Sequence, residues 1–204
     1  MNMKMLKVAI AGLFLSVSGF ANAGLIDINS GNYWGTTGGV SSGRGIAFEA
    51  LDDFSISSIG IEAALNAQTF EVVIWSSTNG HQVNSILHSG SQAFGDTLLG
   101  WNDIAIDFTF DLGSFYAVQW RPLSSNSSWA DSLVYYNDSS LPKIIDGKLN
   151  LIDGFAGHNA SSFSNFLHPS LRVNINSTDI PEPSTIAIFA LSIMGLTARK
   201  LKKR

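Results

Sequence analysis

The stretch Trp101-Asn-Asp-Ile-Ala-Ile-Asp-Phe-Thr-Phe-Asp-Leu112 alternates apolar and polar residues along most of its length. One set is Ile104, Ile106, Phe108, Phe110 and Leu112, and the residues between them are Asp103, Ala105, Asp107, Thr109 and Asp111. Successive side chains of a β-strand point to opposite faces, so a period of two places the first set in a core and the second in water. The pattern predicts a strand with one buried face.

The segments around this strand show further strand signals. Asp111-Leu-Gly-Ser114 has the composition of a turn, and residues 115–121 place Tyr116, Val118 and Trp120 on one side. Residues 70–77 are β-branched and aromatic, as expected of a central strand. Further predicted strands are 45–50, 56–63, 133–137 and 171–176. Short strands separated by turns predict an all-β fold over residues 24–176, an antiparallel β-sandwich with jelly-roll topology preferred.

Three polar segments between the strands are predicted to be long loops. They are residues 31–45, 123–132 and 154–164, and they are rich in Gly, Ser, Thr and Asn. Residues 177–180 are predicted to be a short linker that ends the domain.

The charge distribution limits the partners of the chain. The sequence has 204 residues, a net charge of −4 and no Cys. From Gly24 to Ile180 it holds 5 basic and 15 acidic residues, so this part is near 5 − 15 = −10. An acidic surface repels phosphate backbones, which argues against nucleic acid as a partner. The lack of Cys excludes disulfides, thiolate metal sites and a lipid attached to cysteine.

Residues 1–23 have the three parts of a signal peptide in order. Lys4 and Lys7 form a positive start, residues 8–20 are mostly apolar, and Ala21 and Ala23 make a small-x-small cleavage site. The sequence therefore predicts an N-terminal signal helix, export through a Sec-type translocon, and signal peptidase cleavage that leaves a chain starting near Gly24.

The last 24 residues, 181–204, also have three parts. Pro181, Glu182 and Pro183 come first, an apolar run follows at 186–198, and the chain closes on the basic residues Arg199, Lys200, Lys202, Lys203 and Arg204. Residues 184–198 would make a helix of ~22 Å. That is shorter than a bilayer core of ~30 Å, a gap that local thinning and long basic side chains can cover. We expect a membrane helix with its basic end on the cytoplasmic side.

This tail resembles the PEP-CTERM sorting domain in its Pro-Glu-Pro motif, short apolar helix and basic end. The resemblance implies recognition by an exosortase of a Gram-negative bacterium that makes exopolysaccharide. It also implies transient anchoring in the inner membrane and delivery to the cell surface or extracellular matrix. Such tails follow many unrelated domains, including some ice-binding proteins, so they specify a destination and no activity. The alternative is a plain C-terminal membrane anchor.

The middle of the chain resembles the jelly-roll domains that often precede such tails. The likeness lies in Ile59-Gly-Ile-Glu62, residues 70–75, Trp101 with the strand after it, and Leu112-Gly-Ser-Phe-Tyr-Ala-Val118. It implies a fold and no binding site.

Aromatic residues in polar surroundings are the candidates for ligand contact. An aromatic face packs on a sugar ring while neighbouring polar groups bond the hydroxyls. Burial at the ends of the sandwich core is the competing interpretation. The candidate residues are Tyr33, Trp34, Trp129, Tyr135 and Tyr136.

Catalytic signals are weak. Gly39-Val-Ser-Ser-Gly43 matches the nucleophile-elbow string, but no strand is visible before it and no helix after it. The histidines His81, His88, His158 and His168 lack metal-ligand spacing. We therefore predict a non-enzymatic surface or matrix protein, without metal or cofactor, that associates with exopolysaccharide or another carbohydrate. A secreted polysaccharide hydrolase and an ice-binding protein are the alternatives.

Overall fold

The computed structural model describes residues 24–124, 128–157, 160, 162–164 and 167–176. The predicted signal peptide, linker and tail, at 1–23, 177–180 and 181–204, lie outside the described residues. Within them, no helix is long and apolar enough to span a membrane. The described chain forms fourteen strands: β1 Leu25–Ile28, β2 Asn32–Thr37, β3 Arg44–Ala50, β4 Phe54–Leu65, β5 Gln68–Ser77, β6 Val83–Phe94, β7 Gly100–Phe110, β8 Phe115–Pro122, β9 Ala130–Asn137, β10 Lys143–Ile145, β11 Leu149–Ala156, β12 Ser162–Ser164, β13 Leu167–Pro169 and β14 Leu171–Ile175.

The strands form two antiparallel sheets, which confirms the predicted all-β sandwich. In the first sheet, β4 is central: β7 lies along one edge, and β14 and β9 lie one after the other along the other edge. β1 pairs with β14, and β2 and β13 both pair with β9. The second sheet has the order β10-β11-β3-β8-β5-β6, with β12 added to β11.

The strand order is that of a jelly roll, the predicted topology. Eight strands, β1, β3, β4, β5, β6, β7, β8 and β14, pair first with last, second with seventh, third with sixth and fourth with fifth. This is the pattern of one long hairpin rolled up on itself. Contacts of β14 with β4 and of β8 with β5 complete the two four-stranded sheets, β1-β14-β4-β7 and β3-β8-β5-β6.

The core lies between the sheets and is rich in aromatic rings. Phe110 is fully buried and meets Phe48 and Tyr116 with ring centroids 5.2 and 4.9 Å apart. Ile104 and Ile106 are buried beside it, as the alternation predicted. Leu112 was wrongly assigned to this face: β7 ends at Phe110, and Leu112 is 62% exposed in the following turn.

The three predicted loops contain strands that the composition concealed. β2 lies within 31–45, β9 begins within 123–132, and 154–164 holds the end of β11 and β12. The polar residues of these segments whose burial the structure describes are exposed or half-buried, and the ladder hydrogen bonds of a strand need no apolar side chains. Strand length was therefore underestimated wherever the sequence lacks an apolar face.

The two ends of the domain lie side by side. The backbone N–H of Ile175 donates to the carbonyl oxygen of Gly24 at 2.5 Å, and the backbone N–H of Asn176 donates to the carbonyl oxygen of Ser55 at 2.8 Å. Gly24–Asn176 forms one compact unit. Gly24 and Asn176, the two ends of this unit, therefore both lie near the start of β4.

Candidate functional site

A bulge in the edge strand β2 exposes two aromatic rings in succession. Tyr33 lies opposite Tyr136 and Gly35 lies opposite Tyr135, so Trp34 is an extra residue without a partner in β9. Gly35 adopts a φ of 141°, a conformation that suits glycine. In a regular strand consecutive side chains point to opposite faces, whereas a bulge redirects one of them. Tyr33 is consequently 61% exposed and Trp34 55% exposed.

Two tyrosines of β9 support these rings from the side. The centroid of Tyr33 lies 6.1 Å from that of Tyr136, and the ring planes are 75° apart. Trp34 meets Tyr135 in the same edge-on manner, with centroids 6.4 Å apart and an angle of 85°. Edge-to-face contacts of this kind are favourable and orient both partners. The exposed rings are thus supported by side-chain contacts as well as by the backbone.

Tyr135 is buried, so its predicted contact with carbohydrate is wrong. Its side chain is only 5% exposed, and its hydroxyl oxygen accepts a hydrogen bond from Nε of Arg44 at 2.6 Å. Burial raises the pKa of Tyr135, and the charge of Arg44 partly opposes this effect. Tyr135 therefore supports Trp34 through their edge-on contact.

Tyr136 is partly buried and stacks on a buried histidine. Its ring lies 6.1 Å from that of His168, at an interplanar angle of 15°. Nε2 of His168 lies 3.2 Å from the carbonyl oxygen of Ser30, and Nδ1 lies 3.3 Å from that of Pro169. Burial lowers the pKa of His168, which keeps the ring neutral near pH 7. His168 therefore has a structural role, in support of Tyr136.

A cleft opens beside the two exposed rings; we call it the aromatic cleft. It has a volume of about 450 Å³ and is lined by Gly31, Asn32, Tyr33, Trp34, Asn137, Asp138 and Ser139. Among the residues that the structure describes, the exposed side chains of Asn32, Asn137 and Ser139 have no hydrogen-bond partner. These amide and hydroxyl groups are available to a ligand.

Asp138 is the buried charged group of the cleft. Its carboxylate accepts hydrogen bonds from the hydroxyl and backbone N–H of Ser140, at 2.5 and 2.9 Å, and from Nζ of Lys143 at 3.3 Å. The bonds from Ser140 contribute most to lowering the pKa of Asp138 far below its usual value. Gly31 packs against it, because a Cβ on Gly31 would lie 2.5 Å from Cβ of Asp138.

Trp129 was also predicted to contact carbohydrate, and this prediction is wrong. The side chain is fully buried, its Nε1 donates to the carbonyl oxygen of Ser42 at 2.9 Å, and its ring lies 5.7 Å from Phe70. Polar neighbours in the sequence suggested exposure, but the indole enters the core from the start of β9. It is one of the rings of the sandwich core, which was the competing interpretation.

Four polar residues of the cleft were not among the sequence candidates. They are Asn32, Asn137, Asp138 and Ser139. Asn32 directly precedes Tyr33-Trp34, and Asn137, Asp138 and Ser139 follow one another directly after Tyr135-Tyr136. Pairing these two aromatic dipeptides across a ladder would have brought the four polar residues together.

The structure gives the surroundings of the nucleophile-elbow string and of the described histidines. Arg44, directly after Gly43, begins strand β3, whereas a nucleophile elbow needs a helix at that point. His81 Nδ1 lies 3.2 Å from Oδ2 of the buried Asp153, and His88 packs against Phe108. His158 lies outside the described residues. In the described part of the chain, no three His, Asp or Glu side chains are grouped to hold a metal ion.

Comparison with known families gives one match, at the C-terminus. Residues 179–204 match the model of the PEP-CTERM protein-sorting motif. This confirms the resemblance drawn from the tail, which included residues 181–204. The motif supports an exported surface protein that is anchored in a membrane, processed by an exosortase and then released to the cell surface. No curated protein matches the chain.

Proposed function

We propose that the sandwich domain of this exosortase substrate is a non-catalytic module that binds carbohydrate at the aromatic cleft. The observation that carries the proposal is the exposure of Tyr33 and Trp34, side by side on a bulged edge strand. Exposed rings of this size lose solvent contact on binding, and an aromatic face packs well on the C–H surface of a sugar ring.

The polar rim of the cleft supports the same class of ligand. Asn32, Asn137 and Ser139 offer both donors and acceptors, which match the hydroxyl groups of a sugar. The support behind the rings favours binding further, because Tyr135 and Tyr136 already hold them in place. A site ordered before binding loses less entropy when the ligand arrives.

The chemistry of the cleft favours binding over hydrolysis. Glycoside hydrolases generally use two carboxyl groups across the scissile bond, one of them as an acid. The described lining contains one carboxylate, Asp138, whose lowered pKa and bonds to Ser140 and Lys143 disfavour an acid role. We therefore assign no catalytic residue.

The sorting motif supports exopolysaccharide as the physiological ligand. A protein released at the cell surface meets the polysaccharide that surrounds the cell, and a binding module would retain it in this extracellular matrix. Export would begin with the signal peptide at residues 1–23, read by the translocon and signal peptidase.

Affinity electrophoresis of the processed protein in gels containing neutral polysaccharides tests this proposal. The full chain is expressed in an exosortase-containing host and recovered from the surface or medium fraction. We expect Trp34→Ala to weaken binding about tenfold, since one aromatic contact contributes up to ~1.5 kcal/mol. Leu98→Ala is the control, because Leu98 is 92% exposed and lies between β6 and β7. Equal binding by wild type and Trp34→Ala would exclude the cleft as the binding site. Release of reducing ends from a polysaccharide by the wild-type protein would favour a hydrolase.

A further inference from the structure

Every cation of the domain is already bonded to a group of the domain. Between Gly24 and Asn176 the sequence has five Lys and Arg residues, and all lie in the described part of the chain. Four form ion pairs with carboxylates and one bonds a phenol. The pairs are Arg121–Glu71, Lys143–Asp138, Lys148–Asp52, Arg172–Asp103 and Arg44–Tyr135.

The carboxylates outnumber these cations. From Gly24 to Asn176 the sequence has 14 Asp and Glu against 5 Lys and Arg, so the formal charge is 5 − 14 = −9. The excess extends to the aromatic cleft. Asp138 in its lining is paired with Lys143. The negative charges of Glu62 and Asp27, which form no ion pair among the described residues, act on Tyr136 beside the cleft and add to the effect of burial in raising the pKa of Tyr136.

The described lining of the cleft therefore holds no unpaired cation that could neutralise an anionic ligand. Lys143 is the cation nearest in sequence to the lining residues, and its ammonium is paired with Asp138 at 3.3 Å. Drawing the ammonium of Lys143 away to an anionic ligand would leave the buried carboxylate of Asp138 without its counter-ion, which costs free energy. The remaining rim groups, on Asn32, Asn137 and Ser139, are uncharged.

We infer that the aromatic cleft selects uncharged glycans and rejects those that carry carboxylate, sulfate or phosphate groups. The inference rests on the proposed function and names its ligand class. Like charges about 4 Å apart in water repel enough to weaken binding about fivefold for each contact. Salt shortens the range of this repulsion, so the discrimination decreases at high ionic strength.

Matched pairs of polysaccharides provide the test. The processed protein is titrated with a mixed-linkage β-glucan, a galactomannan and dextran, and with the carboxymethylated form of each, at low and high salt. We expect binding of at least one neutral form, and at least fivefold weaker binding of its carboxymethylated form at low salt. Equal or tighter binding of the charged form would overturn the inference and leave the proposed function standing. Failure to bind all six probes would count against both.

Adding one positive charge at two different positions distinguishes repulsion at the cleft from an effect of the net charge of the protein. We expect Ser139→Lys to raise the ratio of the affinity for the carboxymethylated form to that for the neutral form several-fold; the ratio is compared because loss of the Ser139 hydroxyl from the rim affects both forms. Gln92→Lys changes the net charge equally, but at an exposed position on β6, in the other sheet. It should leave the discrimination as in wild type. An equal effect of the two substitutions would contradict selection at the cleft.

Discussion

The hydroxyl oxygen of Tyr135 accepts a hydrogen bond from Nε of Arg44 at 2.6 Å, and this bond joins β9 of the first sheet to β3 of the second. The guanidinium also donates to the carbonyl oxygens of Ser42 and Gly43, at 3.0 and 2.9 Å. One side chain thus connects the segment before β3 to the tyrosine that supports Trp34. The ring that supports Trp34 is therefore held by a contact between the two sheets.

Tyr135→Phe should lower the free energy of unfolding by ~1.5–3 kcal/mol. The substitution keeps the ring but removes the acceptor of a partly buried charged donor. Tyr33→Phe is the matched control, because Tyr33 is 61% exposed, and it should change stability by less than about 0.5 kcal/mol. Urea unfolding followed by fluorescence measures both. Similar losses in the two variants would contradict a stabilising role for the Arg44 bond.

Gly31→Ala should destabilise the protein more than Gly113→Ala. Both glycines have positive φ, 85° and 75°, so both substitutions incur a backbone cost of ~1–2 kcal/mol. Only Gly31 is also crowded: its Cβ would lie 2.4 Å from the carbonyl oxygen of Asn137, whereas Gly113 has open space. Overpacking adds ~1–3 kcal/mol. Thermal unfolding compares the two variants, and equal losses would mean that the packing of Gly31 on Asn137 and Asp138 is unimportant.

Replacing Trp129 should mainly lower stability, whereas replacing Trp34 should mainly weaken binding. Trp129→Ala removes a fully buried indole and should cost ~3–5 kcal/mol of stability. Trp34→Ala removes an exposed ring and should cost less than about 1 kcal/mol, while weakening binding to neutral polysaccharide. Denaturation and affinity electrophoresis on the same samples check both effects. A stable Trp129→Ala variant with lost binding would restore Trp129 as a ligand contact.

Stability should fall as the pH is lowered from about 7 towards 5, because of His168. Burial lowers its pKa in the folded state, so the unfolded chain binds a proton first, near its ordinary pKa of about 6.5. The contribution is fully present above that value and decreases by at most ~1.4 kcal/mol per pH unit below it. Urea midpoints between pH 5 and 8 measure the slope. His168→Gln should be less stable throughout and lack this slope, and an unchanged slope would exclude His168 as its source.

Processing at both ends should leave a species that starts near Gly24 and ends near residues 181–184. Intact mass measurement on separate surface, membrane and medium fractions tests this expectation. Replacing Glu182 by Ala should leave the tail attached and the protein in the membrane fraction. Extra mass on the processed species would indicate attached glycan. A wild-type species that keeps residues 186–204 would indicate a simple anchor and contradict processing by exosortase.

Periodicity along the chain was a reliable guide where one face of a strand is buried. Ile104, Ile106 and Phe110 alternate with polar residues, and their burial follows from local geometry alone. The strands β1, β2, β6, β10, β11, β12 and β13 were missed. All but β11 lie at an edge of a sheet, and in β11 the buried Asp153 interrupts the apolar face. The Gly-rich composition of residues 31–45 was therefore misread as a loop.

The candidate site was only partly predictable for a different reason. Tyr33 and Trp34 were recognised as aromatic residues in polar surroundings, and the bulge exposes both. Trp129 had the same kind of surroundings in the sequence and is fully buried. Polar neighbours in the sequence therefore do not indicate whether an aromatic side chain is exposed or buried in the core.

The sequence by itself determined the class of fold and the sorting motif, because alternation of side chains and the composition of the tail are properties of neighbouring residues. Only the tertiary structure decided the site. Asn32 and Asn137 are about a hundred residues apart in the chain, and antiparallel pairing of β2 with β9 places them opposite each other. The register of that ladder, including its bulge at Trp34, is set by hydrogen bonds and packing between distant segments, and these determine which rings face the solvent.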